Sequence, residues 1–441
     1  MPPSMREWLP GDHLAWFVLD AVDELDLSAF YGAYRGDGWG RAAFDPQMMV
    51  ALLLYAYAVG ERSSRQIERR CREDVAFRVL SANQIPDHAT IARFRSRHEQ
   101  ALADTFAQVL ALCARAGLVS VGVVALDGSL LAGNASPGST RSYASIRAEV
   151  ERMLEEAAKA DAAEDQRFGE ARGDELPAEL VDTRSRRERL RRCKKQLEQA
   201  QADEEAAHRA NLAWRTAWEG EHGRRLAGRK PTAPDPAALA ARKINTTDPD
   251  SRLMKRAGGR SVQGYNVQVV ASPEQVILAT QVTQSKNDAD QLAPMVTHAA
   301  AMLLEAGIEE PIGTVLADGG YWNSGAIREV REQGVDVLIP TQNRKRTSPR
   351  KLSARQGHQA RRIEQLLSQP EGQALYRRRQ QIVEPVFAHT KYIRRTDRFL
   401  RRGLTACQAE WQLIAATHNL LKLWRAGLAQ TETAKTAPQA G

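Results

Sequence analysis

The chain is poor in cysteine. Its four, Cys71, Cys113, Cys193 and Cys407, lie far apart and none belongs to a CxxC pair. That argues against a disulfide framework or a zinc site and fits a reducing cytosol. The opening residues, MPPSMREWLPGDH, lack a secretory apolar region. Long apolar runs are missing too. The longest, Met48 to Val59, is too short to span a bilayer and reads as a core helix.

What is present is size, a core and positive charge. At 441 residues with 43% apolar content, the chain has room for two or three domains around a real core. Its net charge of +8 and sequence pI of about 9.4 favour an anionic partner, most often nucleic acid. The charge is localised: residues 341–404 hold 17 Lys and Arg against four acids. A charge run is usually a solvated face, but one this lopsided points to contact with DNA or RNA.

Two stretches carry the chemistry. In TVLADGGYWN (Thr314 to Asn323) an apolar run ends in Asp318, followed by two glycines, Tyr321 and Trp322. In VGVVALDGSLLAGN (Val121 to Asn134) a β-branched run meets Asp127, again followed by glycine. Each reads as a buried strand with a carboxylate near its carboxyl tip, where open α/β sheets place ligands. Asp318 read alone is equally a cap for the helix expected over Asn323 to Gln333. Two such carboxylates brought together repel, and burial raises the cost of ionising both. Mg2+ is the usual remedy, since it prefers oxygen ligands from one or two carboxylates and a phosphate.

In chain order, residues 1–118 are expected to be all-helical. Phe44-Asp45-Pro46 starts a helix that stops at Gly60, and Ser63 or Ser64 starts the next. PDHATIARFRSRH begins a third, capped by Asp87 or Thr90, with Ile91 and Phe94 inward and Arg93, Arg95, Arg97 and His98 around it. A basic last helix of this kind resembles a helix-turn-helix unit; a structural cap with solvated arginines is the alternative. Residues 119–144 hold the first strand. Residues 145–245 read as two long charged helices in an antiparallel hairpin, with Ile146, Val150, Met153, Leu154 and Ala157 on one seam and Leu190, Cys193, Leu197 and Ala200 on the other, then an exposed linker. Trp214 and Trp218 share a face near its end.

The α/β pattern resumes over residues 246–428. Ser261 to Val270 and Gln275 to Gln284 form a hairpin about Ser272-Pro273. A helix follows over Asp288 to Ala306, then the Asp318 strand, a helix, the strand Val335 to Ile339 ended by Pro340, helices over Gln356 to Leu367 and from about Gln373, and a last helix over Trp411 to Trp424. Residues 429–441 form a polar tail expected to be disordered. The fold class is α/β: a hairpin paired to a strand and extended by right-handed crossovers, a mixed sheet flanked by helices.

Inside the basic segment sits YRRRQQIVEPVFAHTKYIRR. Glu384 lies between apolar Ile382, Val383, Val386 and Phe387, so it is expected near the core. Pro385 disfavours a smooth helix through it and places Glu384 at a kink or a helix start, where the dipole alone would also favour an acid. Lys391 follows seven residues on, roughly two turns along the same face.

At these residues the chain resembles the insertion-sequence DDE transposases, which have a catalytic core of the ribonuclease H and retroviral integrase type. LDGSLL matches the first-aspartate strand, LADGGYWN the second and VEPVFAHTKY the glutamate segment, with Lys391 at the expected spacing. DPDSRLM, TQSKNDADQL and PDHATIARFR are similar to the same group. There are departures. Where many relatives carry Tyr and Arg before the glutamate, this chain has Arg377 and Gln380, with Tyr376 and Arg379 each one residue early; DGGY stands where DAGY is commoner. The helical insertion falls between the first two core strands.

The resemblance implies a DNA transposase acting by two-metal phosphoryl transfer. Asp127, Asp318 and Glu384 would hold two Mg2+ ions about 4 Å apart, with Mn2+ as a substitute. A water would cut the transposon end, and the freed 3′-OH would join target DNA. Lys391, Arg394, Arg395, Arg377, Arg93 and Arg95 would contact phosphates, and Tyr321 would stack on a base near the cleaved end. It also implies terminal inverted repeats and target DNA as partners, a dimer or higher multimer on DNA, and a place in the bacterial cytoplasm at the nucleoid. The rivals are a nuclease of the same fold without strand transfer and an inactive, domesticated DNA-binding protein.

Overall fold

The structure, a computed structural model, describes residues 7–34, 43–168, 186–235, 237–255, 259, 261–341 and 354–436. The chain divides into two compact units. One comprises Met1–Gly133, Met254–Arg260 and Gly264–Gly441, and the other Asn134–Leu253 and Ser261–Gln263.

The first unit opens with helices α1 (Leu14–Asp23), α2 (Pro46–Ala58), α3 (Ser64–Glu73), α4 (His88–Arg97) and α5 (Glu99–Arg115). Their starts are written locally. Asp45 caps α2 by accepting from the Gln47 amide, with Pro46 in the first turn, and Asp87 caps α4 by accepting from the Thr90 amide at 2.9 Å. Gly60 takes a positive φ of 83° just past α2, the left-handed conformation that glycine adopts freely. Apart from Gln47, the whole of α2 is buried, the condition of a helix apolar all round.

Strands β1 (Val123–Ala132), β2 (Ser261–Ala271), β3 (Ile277–Thr283), β4 (Thr314–Leu316) and β5 (Asp336–Leu338) lie in the spatial order β3-β2-β1-β4-β5. β2 runs antiparallel to both β1 and β3, while β1, β4 and β5 are parallel. The expected hairpin and the mixed sheet are therefore both present. Helices α8 (Leu292–Glu305) and α9 (Ser324–Glu332) form the crossovers before and after β4. α8 begins four residues later than expected, because Asp288 is tied by its side chain to β2. After β5 come α10 (Ala354–Ser368), α11 (Pro370–Ala388), a five-residue π turn over His389–Ile393, and α12 (Leu404–Thr436). The core of sheet and helices is one continuous apolar cluster that includes Leu53, Val109, Val269, Val315, Val383 and Ile414.

Two expectations fail on helix continuity. Pro385 does not start a helix; α11 runs through it. Proline leaves the carbonyl four residues back without its usual donor, and Gln275 Nε2 supplies one to Gln381 O at 3.0 Å. At the C-terminus, α12 extends to Thr436, into the expected tail, and residues 437–441 lie outside the described residues.

The second unit is the helical insertion. Its helices α6 (Tyr143–Phe168) and α7 (Arg186–His222) run antiparallel, with the Tyr143 hydroxyl donating to Glu198 at 2.6 Å and Arg186 paired to Glu149 at 2.7 Å. Its small core holds Ile146, Val150, Leu190, Cys193, Leu197 and Ile244. The apolar seam is shorter than expected: Leu154 is 41% exposed and Ala200 is exposed.

Candidate active site

The parallel register sets Ala125 of β1 opposite Leu316 of β4. Asp127 and Asp318, each two residues further on, thus stand level at neighbouring strands. Each carboxylate accepts from a nearby glycine amide: Asp127 Oδ1 from Gly128 at 2.9 Å, and Asp318 Oδ1 from Gly320 at 2.8 Å. The helix over 324–332 is capped by Asn323, not by Asp318.

Helix α11 crosses the face of β1 that carries Asp127. Arg379 Nη1 donates to Asp127 Oδ2 at 3.0 Å, and Arg379 Nη2 stands 3.6 Å from Glu384 Oε1. One guanidinium thus bridges two of the three expected carboxylates. Burial pushes the Asp127 carboxyl up to about 6; Arg379 and the Gly128 amide pull against that, and the Asp318 carboxylate adds to it. The same cluster reaches Tyr376, whose phenol burial raises and Arg379 lowers, with Asp318 and Asp127 in range. Arg379 Nε has no hydrogen-bond partner among the described residues. Past the helix, Lys391 Nζ in the π turn donates to Ser129 Oγ at 2.7 Å and to Leu130 O at 3.1 Å. The chain after it is tied to the end of β1, with Phe399 N donating to Ala132 O at 2.8 Å.

Several expected contacts move. Glu384 is exposed on its helix, not held in the core. Arg394 is 3% exposed, and its guanidinium is spent on the carbonyls of Tyr57 and Ile414 and on Thr417 Oγ1, so it faces inward and gives nothing to a phosphate. Arg95 is likewise occupied, donating to Arg62 O at 2.7 Å, to the Tyr57 hydroxyl and to Ser64. Tyr321 is fully buried, with its hydroxyl on Gln268, and has no face for a base. Arg377, Arg395 and Arg93 are exposed. The part of the basic segment over 342–353 lies outside the described residues.

Three residues of the cluster were not assigned from sequence. Tyr376 and Arg379 each stand one residue early in sequence, and the structure brings both to the site: α11 is continuous, so Arg379 lies five residues before Glu384 and still reaches it. Asp288 sits within TQSKNDADQL, and polar Asn266 and Gln268 on one side of the apolar strand YNVQVV signal its partners.

Residues 3–97 match the family described as "Transposase domain (DUF772)", and residues 237–420 match "Transposase DDE domain". Together these cover more than half of the chain. The chain belongs to the insertion-sequence DDE transposases. Its mixed sheet is the ribonuclease H-like core of that family, preceded by a helical region and interrupted by a helical insertion after β1. The second match contains Asp318 and Glu384 but begins after Asp127. No curated protein and no solved structure matches the chain. As a transposase it acts on DNA by phosphoryl transfer. No described helix is long and apolar enough to cross a membrane.

Among the described residues, no three His, Cys, Asp or Glu side chains are gathered closely enough to hold a metal ion. The donor chemistry nevertheless fits a hard divalent cation. Asp127, Asp318 and Glu384 offer only oxygen, and two of them already share a positive charge in the Arg379 guanidinium.

Proposed function

We propose that this transposase cuts the ends of its element and joins the freed 3′-OH to target DNA, with Asp127, Asp318 and Glu384 as its metal-holding carboxylates. The observation that carries the reading is the bridge from Asp127 through Arg379 to Glu384, beside Asp318 at the level strand position. Bound Mg2+ would supply Lewis acidity to the attacking and leaving oxygens.

The chain's own groups do the rest. In the first step a water oxygen bonds to phosphorus, the bond from phosphorus to the 3′ oxygen breaks, and the 3′ oxygen leaves as a hydroxyl. In the second, that hydroxyl attacks a target phosphodiester and the target's own 3′ oxygen leaves. Bonds balance in each step, and no side chain is bonded to DNA. Arg379 keeps Asp127 and Glu384 facing one another. Lys391 sets a positive charge beside β1, and exposed Arg377, Arg395 and Arg93 supply phosphate contacts. Partial burial of Asp127 strengthens every charge interaction there. Cutting two ends favours a dimer or larger assembly on DNA.

The test is a cleavage and joining assay in Mg2+ or Mn2+ on DNA carrying the element's inverted repeats. Metal-dependent 3′-OH ends that join target DNA are expected, falling more than about 100-fold in Asp127→Asn, Asp318→Asn and Glu384→Gln, beyond what outer partners of a ligand usually cost. Cleavage without joining would make the chain a nuclease. Full activity in Glu384→Gln would displace that residue from the site.

A further inference from the structure

On β1, side chains alternate between faces. Asp127 and Ser129 face α11, so Gly128 and Leu130 face the other way. Opposite them on β2 stand Gln268 and Asn266. Both reach Asp288: Asn266 Nδ2 and Gln268 Nε2 each donate to Asp288 Oδ1 at 2.7 Å. The Tyr321 hydroxyl then donates to Gln268 Oε1. A polar chain of four side chains thus backs the strand directly behind Asp127, in an otherwise apolar sheet where unsatisfied polar groups are costly.

The chain packs closely on the glycines that follow the two aspartates. A Cβ added to Gly128 would stand 2.6 Å from Gln268 Nε2, 2.8 Å from Asp288 Oδ1 and 3.1 Å from the Tyr321 hydroxyl oxygen. A Cβ on Gly320 would stand 2.8 Å from Asp318 Oδ1 and 3.7 Å from Asp288 Oδ2. Asp288 therefore borders a glycine just after each expected ligand: Gly128, which follows Asp127 directly, and Gly320, two residues after Asp318, whose amide holds the Asp318 carboxylate. The acid also sets the direction of the chain. An ionised carboxylate only accepts, so both amides must turn their NH2 groups to it. That leaves Gln268 Oε1 for the Tyr321 hydroxyl.

We propose that Asp288 is a positioning residue of the phosphoryl-transfer site, acting through Gln268 and Tyr321 to hold the peptides that follow Asp127 and Asp318. The proposal rests on the reading of Asp127 and Asp318 as metal ligands. Asp288 itself stays outside the metal's coordination. Its carboxylate fixes a direction of hydrogen bonding that asparagine at 288 does not enforce, since an amide can donate to Gln268 Oε1 and displace Tyr321.

The test is Mn2+ binding to the full chain by titration calorimetry without DNA, followed by cleavage across a Mn2+ series. Asp288→Asn, Tyr321→Phe, their double variant and Asp318→Asn are compared, each with a melting curve in the absence of metal. Outer partners of metal ligands typically cost 10–100-fold in affinity. Asp288→Asn is expected to weaken Mn2+ binding by about 10–100-fold and Tyr321→Phe by about 10-fold. The double variant should be no weaker than Asp288→Asn, because both act on one chain of bonds. Cleavage by both single variants should return at high Mn2+, while Asp318→Asn stays inactive. Tyr321→Phe keeps the ring, so it reports even if Asp288→Asn melts early. Wild-type Mn2+ affinity in either single variant would overturn the proposal. So would loss in Asp288→Asn as complete as in Asp318→Asn, which would make Asp288 a ligand. If wild type and Asp318→Asn bind Mn2+ alike, the ligand assignment fails and not this inference alone.

Discussion

The hairpin of α6 and α7 and the helices of the catalytic unit are both rich in charge, but they use it differently. On the hairpin, many charges pair along their own helix: Arg147 with Glu151, Arg152 with Glu156, Lys194 with Glu198 and Arg215 with Glu219, all four residues apart, while Arg186 reaches across to Glu149. The catalytic unit has such local pairs too, Arg69 with Glu73 and Arg328 with Glu332 among them, but its buried charges reach across the sequence. Arg379 bridges to Asp127, 252 residues away, and Arg62 pairs with Glu410, 348 away. Local pairs keep a solvated helix soluble and formed. Distant pairs fix where one element lies on another, and only they place chemistry.

The sharpest way to break the distant class is Glu410→Ala. Arg62 and Glu410 are 2.8 Å apart with side chains 8% and 1% exposed, and Glu410 also accepts from the amides of Leu400 and Arg401. Removing it strands a buried guanidinium, which typically costs about 3–5 kcal/mol. A fall in melting temperature of several degrees is expected, much larger than for any hairpin pair. A melting curve unchanged from wild type would mean that water enters this pair freely.

The same division explains what was legible in the sequence. The strand order was readable, because the hairpin-then-crossover order allows few topologies. The strand-tip position expected for Asp127 was not: β1 runs on past it to Ala132, since its pairing with β2 continues to Gly264. Helix caps such as Asp45 and Asp87 were readable because they are local signals. What failed depended on partners far along the chain. Pro385 sits inside a helix because Gln275, more than a hundred residues earlier, takes up the carbonyl it leaves bare. Arg394 and Arg95 counted toward a basic surface, but composition does not say which guanidinium turns inward to Tyr57. Asp288 reads as a helix start, but its partners lie on β2 and hold it before the helix. Asp318 lies just past the end of its short strand, yet the aromatic three positions on is a buried prop and not a base platform.

An intermediate effect is expected from acid, through a second distant pair. His389 and His418 approach at 3.1 Å between Nδ1 atoms, and His418 Nε2 lies 2.9 Å from Gln275 O. Burial pulls His389 down to about 4, with Arg394, Arg425 and Lys422 adding to it, and burial carries His418 well below its usual range. A depressed folded pKa means the unfolded chain binds more protons between that value and the ordinary histidine pKa of about 6.5. Their contribution to stability is therefore complete above about pH 6.5 and declines as pH falls toward 4. Melting temperature should fall by several degrees from pH 7 to pH 5, and the slope should flatten in His389→Gln. An equal slope in that variant would assign the acid sensitivity elsewhere.

The smallest effect belongs to the hairpin, and its smallness is the point of the comparison. Arg147 and Glu151 pair at 2.7 Å with side chains 59% and 53% exposed. Exposed helix pairs at this spacing contribute little, and salt screens them further. Arg147→Ala should therefore shift melting by a degree or less, and less still in 0.5 M salt, since alanine also returns some helix propensity. DNA cleavage and Mn2+ affinity should match wild type. A loss of several degrees would show that the hairpin's surface charges also hold tertiary structure. The distinction between its locally paired charges and the long-range pairs around Asp127 would then dissolve.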